Sequence, residues 1–385
     1  MNLYKDGIFQ TIWVDNYFPV FNQNVESVRK ANGEELGRPG EPIFAAAYGN
    51  ELWVAVAEKA YAKAHGGYVI VAGGSCGPTL RDLTGAPAYT YTFEAGEEIP
   101  GLWEKILEGE RMNYAMSAGS PGVDEGQYND HGIVPGHAYS LLAGKTVKDK
   151  YGQIVNLVKL RNPWKEGEWN GRFSDVSDDW TPQLMRELGH TNTNDGIFWM
   201  LFEDMITVFD QVDICKVDDD AIYSFMPVQQ SMANYSLIKF TVPQNMNRLT
   251  TFAVTQKGCR TEEANGMNFD LNDYTRTVYV GFCRVKNPRN FDGNLNNLNP
   301  NNFEIITHGE QEMSPYALRD TFIEFQYFQA GTYYMYIDIQ WNGKAQDKNF
   351  CVNCYGPGEV IFEGDHSAYV DMQTAGLMTG ILEQY

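Results

Sequence analysis

The sequence predicts an α+β domain, built of antiparallel sheets with helices, followed by an all-β sandwich. Three observations favour this fold class. Apolar residues recur at helical spacing in the segment 49–67, and two alternating strands flank a turn at 149–152. After Cys215, nearly every apolar run reads as a strand and is followed by turn residues. We therefore place two domains at 1–213 and 214–385, with a junction at 215–221.

The first domain is predicted to contain three helices and several short strands. "TIWVDNYFPV" (11–20) and "GYVIVAGG" (67–74) read as strands, whereas "PTLRDLTG" (78–85) and "IPGLWEKILEGERM" (99–112) read as helices. The clearest helix is "GNELWVAVAEKAYAKAHGG", which Asn50 can cap and Gly66 can end. Its predicted apolar face consists of Leu52, Trp53, Val56, Ala57, Ala60, Tyr61 and Ala64.

A hairpin in the first domain brings two polar side chains together. One strand runs from about 137 to 147, "DKYG" (149–152) forms the turn, and the return strand covers about 153–161. His137 lies about twelve residues before the turn, and Asn162 lies about as many after it. Since facing residues of an antiparallel pair are within side-chain contact, we expect the imidazole to meet the carboxamide.

The second domain consists almost entirely of predicted strands. They are "YSLIKFTV", "LTTFAVTQ", "RTVYVGFCRV", "TFIEFQYF", "TYYMYIDIQW", "NFCVNCY" and "EVIFE". We expect its aromatic residues to fill the sandwich core or to pair across strands, namely Phe325, Tyr327, Phe328, Tyr333, Tyr334 and Tyr336. The pair Cys351 and Cys354 has no second ligand pair for zinc and lies within a strand pattern, so we interpret both as structural thiols.

Composition excludes some classes of function. The 385 residues include 29 Lys+Arg against 50 Asp+Glu, which gives a net charge of −21 and disfavours nucleic-acid binding. The first 20 residues have no apolar signal region, and no apolar run approaches the ~18 residues of a membrane span. Six scattered cysteines fit free thiols better than a disulfide scaffold, so we expect a cytoplasmic protein.

Seven blocks of the first domain resemble, in order, the second half of a calpain protease core. They are "KDGIFQTIWVDNYFP", "NELWVAVAEKAYAKAHGGY", "DLTG", "GHAYS", "RNPW", "EWNGRFSD" and "DGIFWMLFEDMITVFDQVDIC". The resemblance implies a papain-like protease subdomain in residues 1–213. Residues 214–385 more loosely resemble the C2-like sandwich that follows the protease core in that family.

The resemblance implies catalytic roles for three residues. His137 matches the histidine that takes the proton of the nucleophilic thiol, Asn162 matches the asparagine that orients that ring, and Trp164 matches the tryptophan that shields the pair from water. An imidazole next to a thiol is the arrangement that generates a thiolate for attack on a peptide carbonyl.

The nucleophilic cysteine of calpains precedes all of these blocks, on a helix in the other half of the core. The first cysteine here, Cys76, falls in a block whose counterpart in the family is a loop outside the cleft, so we expect it to be an ordinary thiol. Loss of a nucleophile costs on the order of 10⁶ in turnover, and we predict that this chain is inactive alone.

Calcium is the cofactor that the resemblance implies. The matching carboxylates are Glu168, Asp175 and Asp195, and oxygen ligands of this kind suit a hard cation. Where calpains carry an acidic residue two positions after the last of these, this chain has Ile197, which should weaken the site. Membrane docking is not expected, because neither calcium-binding acidic loops nor basic patches are conspicuous in the second domain.

Two hypotheses of different classes follow. In the first, the chain is part of a calcium-dependent cysteine endopeptidase that acts on protein substrates, and its nucleophile-bearing half was cut off or is supplied by another polypeptide. In the second, it is a calpain-derived non-enzyme that binds protein partners or has a structural role. The intact "GHAYS" and "NPW" motifs favour the first, and the absent nucleophile favours the second.

Overall fold

A computed structural model describes residues 1–21, 28–29, 35–37, 40–45, 51–97, 99–122, 128–165, 167–230, 235–258, 278–285, 303–311, 319–339 and 349–365. The first half is mixed α and β. Its strands are β1 (Asn2–Lys5), β2 (Ile8–Thr11), β3 (Val28–Arg29), β4 (Glu35–Gly37), β5 (Ala88–Thr92), β6 (Ala115–Gly119), β7 (Ala138–Lys148), β8 (Ile154–Arg161), β9 (Ile197–Leu201) and β10 (Gln211–Cys215). Its helices are α1 (Trp53–His65), α2 (Cys76–Thr84), α3 (Leu102–Arg111), α4 (Pro182–Leu188) and α5 (Phe202–Val208).

The described part of the second half contains strands and no helix. The strands are β11 (Ile222–Gln229), β12 (Tyr235–Val242), β13 (Thr250–Gln256), β14 (Val278–Val285), β15 (Phe303–Gln311), β16 (Asp320–Phe325), β17 (Gly331–Ile339), β18 (Asn349–Gly356) and β19 (Ile361–Asp365). The predicted fold class is confirmed at this level, as mixed α/β followed by a β-rich part with antiparallel sheets. The boundary at 213/214 stays a prediction; β10 spans it and continues to Cys215.

One six-stranded antiparallel sheet organises the first half, in the order β5-β10-β6-β7-β8-β9. Alternate residues of its strands enter two different cores because successive side chains point to opposite faces. Val158 and Leu160 of β8 pack with residues of α3 and α5, whereas Leu157 packs with Leu184 and Leu188 of α4. Both faces of this sheet are therefore covered by helices.

Two antiparallel sheets face each other in the second half, in the orders β11-β18-β13-β16 and β15-β14-β17-β12-β19. Their inner faces share one apolar core, in which the ring of Phe252 meets that of Phe282 edge-on at 5.0 Å. Cys351 and Cys354 are buried in β18, and burial raises the pKa of Cys351 to about 12. Of the aromatic residues predicted for this core, Tyr327 is instead 53% exposed.

Several local predictions in the first half are wrong. Residues 12–19 are not a strand, since β2 ends at Thr11, and residues 68–73 form turns. The long helix is present, but its first turn does not join the core, because Leu52 is 62% and Trp53 67% exposed. Asn50, the predicted cap, lies outside the described residues.

A buried network of charged side chains joins the two halves. Arg81 Nε of α2 lies 2.9 Å from Asp320 Oδ1 of β16, and Asp320 Oδ2 accepts a hydrogen bond of 2.9 Å from Arg319 Nε. Arg319 also pairs with Asp82 of α2. Arg81 is 1% and Asp82 2% exposed, so these charges are compensated almost entirely by one another.

The amino-terminal hairpin of β1 and β2 completes this junction. Tyr4 is fully buried, and its hydroxyl accepts a 2.6 Å hydrogen bond from Arg81 and lies 3.0 Å from Thr255 Oγ1 of the sandwich. Gly7 has a φ of +91°, and a Cβ there would lie 2.2 Å from Cys351 Cβ. The hairpin thus fits the sandwich surface closely only with glycine at its tip.

Replacing Asp320 by Asn should destabilise the protein strongly. Burial raises the pKa of Asp320, but the neighbouring Arg81 and Arg319 lower it to about 2, so the carboxylate is charged at neutral pH. The neutral amide would leave two buried guanidinium groups undercompensated, at a cost of about 3–5 kcal/mol in the free energy of unfolding. Urea denaturation followed by tryptophan fluorescence measures this loss.

The matched control is Glu304→Gln, which breaks the exposed ion pair with Arg284 at 2.8 Å. We expect that variant to lose no more than about 1 kcal/mol, because solvent screens the pair. Equal losses in the two variants would show that the buried network does not stabilise the junction.

Candidate active site

The ends of β7 and β8 bring His137 and Asn162 into contact. His137 directly precedes β7 and Asn162 directly follows β8, and these strands are antiparallel neighbours. His137 Nε2 lies 3.0 Å from Asn162 Oδ1. His137 is 8% exposed and Asn162 is fully buried. The side-chain contact that the hairpin spacing predicts is therefore present.

The backbone of Trp164 fixes which atom of the Asn162 amide faces the imidazole. The Trp164 N–H donates to Asn162 Oδ1 at 3.1 Å, and a backbone N–H can only donate. The atom at this position is therefore the oxygen, and a neutral His137 must carry its proton on Nε2 to donate to it. That tautomer leaves Nδ1 as the ring nitrogen that can accept a proton.

The indole of Trp164 covers one side of the imidazole. The ring centroids of His137 and Trp164 are 4.4 Å apart with an interplanar angle of 45°. Trp164 itself is 44% exposed, so its outer face is in contact with solvent. The ring of the buried Tyr139 lies nearly perpendicular to the imidazole, with the two centroids 5.1 Å apart. The imidazole thus contacts two aromatic rings.

Gly196, which the sequence analysis did not single out, holds the backbone of Asn162. The Asn162 N–H donates to Gly196 O at 2.8 Å. Gly196 has a φ of +82°, and a Cβ there would lie 2.8 Å from Asn162 O and from Lys165 Cα. Only glycine therefore fits here without strain. The sequence signal that could have identified it is its position between Asp195 and the start of β9.

The three predicted calcium ligands lie in one region, and each accepts a backbone hydrogen bond. Glu168 Oε1 accepts the N–H groups of Asp195 and Gly196 at 2.9 and 2.7 Å. Asp195 Oδ1 accepts the Ile197 N–H at 3.0 Å, and Asp175 Oδ2 accepts the Thr193 N–H at 3.2 Å. The region is therefore stabilised by its own backbone.

Asp175 carries the least compensated charge of this region. Its side chain is 9% exposed, its Oδ1 atom has no hydrogen-bond partner, and His190 Nδ1 lies 3.7 Å from that atom. Burial, and then the charges of Glu168 and Asp195, raise the pKa of Asp175 to about 6. A cation placed among the three carboxylates would relieve this repulsion.

The fit of these residues to a calcium ion is partial. Their oxygen donors and their combined charge suit a hard cation. However, nowhere in the described ranges do three side chains of His, Cys, Asp or Glu converge closely enough to hold a metal ion. Binding would therefore require the carboxylates to move towards one another.

Cys76 lies in an environment that does not activate a thiol. It begins α2, beside Ser117 and the buried Asp213 carboxylate. Burial, and then the charge of Asp213, raise the pKa of the Cys76 thiol, whereas a nucleophilic cysteine needs a lowered pKa. Cys215 is also buried, and burial raises the pKa of its thiol to about 11. Cys259 lies outside the described residues.

Comparison with known families identifies the family of this chain. Residues 1–216, more than half of the chain, match the family described as calpain family cysteine protease. The chain therefore belongs to the calpain family, and the resemblance of its sequence blocks is confirmed. None of the helices in the described part of the chain is long and apolar enough to cross a membrane.

Individual relatives agree with this family and are much longer. The chain is 38% identical over 195 residues to the calpain-type cysteine protease ADL1 of Oryza sativa subsp. japonica, a match covering 46% of this chain and 8% of that protein. It is 39% identical over 178 residues to calpain-9 of Rattus norvegicus, covering 45% of this chain and 26% of that protein. The match to the calpain-1 catalytic subunit of Bos taurus is 37% over 192 residues, or 49% and 26% of the two chains.

One solved structure can be aligned with part of this chain, but the two structures agree poorly. It is that of the cysteine protease and lectin-like domains of Cwp84, a surface layer associated protein of Clostridium difficile. It covers 69% of this chain and 52% of its own at 10% identity and a TM-score of 0.22, which is too low to bear on the fold.

Replacing Asp175 by Asn should change the pH dependence of stability. The folded protein binds a proton at Asp175 up to about pH 6, whereas the unfolded chain releases it near 3.8. The parent therefore loses stability at this residue as the pH rises from about 4 to about 6, and the amide variant does not. The melting temperature of the variant minus that of the parent should rise across this interval.

The control for this measurement is Asp220→Asn, since the Asp220 side chain is 84% exposed. Its difference from the parent should stay flat between pH 4 and 7. A flat difference for Asp175→Asn as well would mean that its carboxyl has an ordinary pKa in the folded state.

Proposed function

We propose that this chain supplies the general-base side of a calpain-type cysteine endopeptidase site, and that the nucleophilic thiol comes from a polypeptide segment outside these 385 residues. The observation that carries the proposal is the bond between His137 Nε2 and Asn162 Oδ1, whose direction the Trp164 N–H fixes.

The chemistry follows from that tautomer. Nδ1 of His137 takes the proton of the thiol, and the thiolate forms a bond to the peptide carbonyl carbon. The imidazolium then gives its proton to the departing amine as the peptide bond breaks, which leaves an acyl-enzyme. Water, deprotonated by the same nitrogen, releases the acyl group and restores the thiol. Asn162 keeps the ring in orientation throughout these steps, and Trp164 limits its contact with water.

Calcium regulation is a second part of the proposal. Glu168, Asp175 and Asp195 would hold the ion, whose role when bound is to neutralise their charge and fix the surrounding loops. The raised pKa of Asp175 supports an electrostatic demand for a cation here. We further propose that the sandwich is C2-like and that the partners of the chain are protein substrates or other proteins, not nucleic acid or membranes.

Mixing the full chain with a recombinant nucleophile-bearing half of a calpain protease core tests the catalytic proposal. We expect no hydrolysis of an unfolded fluorogenic protein substrate by the chain alone, and thiol-dependent hydrolysis by the mixture. His137→Ala should lower the rate of the mixture by about 10⁴-fold or more, since the base is lost.

The matched control is His131→Ala, because that imidazole is exposed, stacks on Trp169 at 5.6 Å and does not belong to the pair. It should retain most of the activity. If no mixture hydrolyses the substrate although the two polypeptides bind each other, the non-catalytic function of the chain as a binding or structural protein is favoured instead.

Calcium binding is tested on the chain alone by its thermal stability. A calcium concentration 100-fold above the dissociation constant should stabilise the folded state by about 2.7 kcal/mol, and magnesium should do so less. Asp195→Asn should remove most of this effect, whereas Asp220→Asn should not. Equal stabilisation of both variants would place the ion elsewhere, and none in the parent would contradict the calcium proposal.

A further inference from the structure

Ser120 lies at the end of β6, next to the backbone that leads into β7. It directly follows Gly119, which pairs with Ala138. Ser120 is 8% exposed, so its hydroxyl must find its partners within the protein. Neither the sequence blocks nor the proposed reaction assigns this residue a role.

The hydroxyl and the amide of Ser120 together hold the backbone of His137 from both sides. The His137 N–H donates to Ser120 Oγ at 3.0 Å, and the Ser120 N–H donates to His137 O at 3.0 Å. The hydroxyl proton points to Val134 O at 2.6 Å, with His137 O at 3.1 Å as the longer alternative. Ser120 therefore forms hydrogen bonds with both backbone polar groups of His137, its N–H and its carbonyl oxygen.

These hydrogen bonds from Ser120 matter because the residue before His137 is a glycine, Gly136. Gly136 has a φ of +63°, and glycine imposes little restriction on the backbone that carries the imidazole. Without the hydroxyl, the His137 N–H would lose this acceptor and Val134 O would lose its donor, so that the backbone bond from the Ser120 N–H to His137 O would remain as the contact between Ser120 and this segment. The 3.0 Å contact with Asn162 depends on where that backbone places the ring.

We propose that Ser120 is a positioning residue for His137: its hydroxyl fixes the backbone from which the imidazole reaches Asn162. The importance of this role for catalysis rests on the proposed function, but the positioning itself does not. It is a property of the chain alone and can be measured without any nucleophile.

The test is Ser120→Ala in the full chain, read by nitrogen-15 NMR of the imidazole. In the parent we expect the Nε2–H tautomer of His137 to dominate, because Asn162 Oδ1 accepts that proton. In the variant the ring should become a mixture of both tautomers with broadened resonances. Ser120→Thr, which keeps the hydroxyl, should restore the parent spectrum.

Ser117→Ala is the matched control. Ser117 is 7% exposed on the same strand, and its hydroxyl donates to Asp213 Oδ2 at 3.0 Å, away from His137. It should lower the melting temperature without changing the His137 resonances. If Ser120→Ala does not fold, Ser120→Cys provides a graded change, since a thiol of similar shape is a weaker donor and acceptor.

The proposal is overturned if folded Ser120→Ala or Ser120→Cys keeps the parent tautomer and line widths. Failure of the mixing experiment would instead contradict the proposed function and leave this spectrum unchanged. The two results are therefore distinguishable.

Discussion

The buried charges between α2 and β16 are the constraint on which the arrangement of the two halves depends. A guanidinium group removed from water costs several kcal/mol unless carboxylates surround it, so Arg81 and Arg319 tolerate only small displacements from Asp82 and Asp320. Since α2 also packs on the six-stranded sheet and on β1, the network fixes the sandwich relative to that sheet. A junction of apolar side chains would permit more sliding.

The same sheet assembles the candidate site by a simple topological rule. β6, β7, β8 and β9 are successive antiparallel neighbours, so the end of one strand lies beside the start of the next. Ser120 follows β6, His137 precedes β7, Asn162 follows β8 and Gly196 precedes β9. All four residues therefore meet where these strands end, on the same side of the sheet, although 76 positions separate the first from the last (196 − 120). The register of three strand pairs sets the geometry of the imidazole and the carboxamide.

What the sequence could predict depended on whether the signal was local. The β7–β8 hairpin places His137 near Asn162 through its own turn, and strands of the sandwich core alternate clearly, so both were predictable. Residues 12–19 have the composition of a strand, yet Lys59 and Lys63 of α1 donate to the backbone oxygens of Trp13, Asp15 and Tyr17 in place of a neighbouring strand. β11 and β15 were missed because a proline interrupts one and polar residues fill the other. Ser120 acts only through contacts across the sheet, which no spacing along the chain reveals.

Glu168 connects the candidate cation region to the pair of His137 and Asn162. Its Oε1 atom accepts the Gly196 N–H, and the carbonyl of the same glycine accepts the Asn162 N–H. A movement of Glu168 towards a cation that displaces Oε1 would therefore change the bonds that hold this peptide, and Asn162 Oδ1 would move with its backbone. Since that oxygen accepts from His137 Nε2, a displacement at Gly196 reaches the ring through two hydrogen bonds. If calcium binds among these carboxylates, these hydrogen bonds connect it to the position of Asn162 without direct contact between the ion and the imidazole.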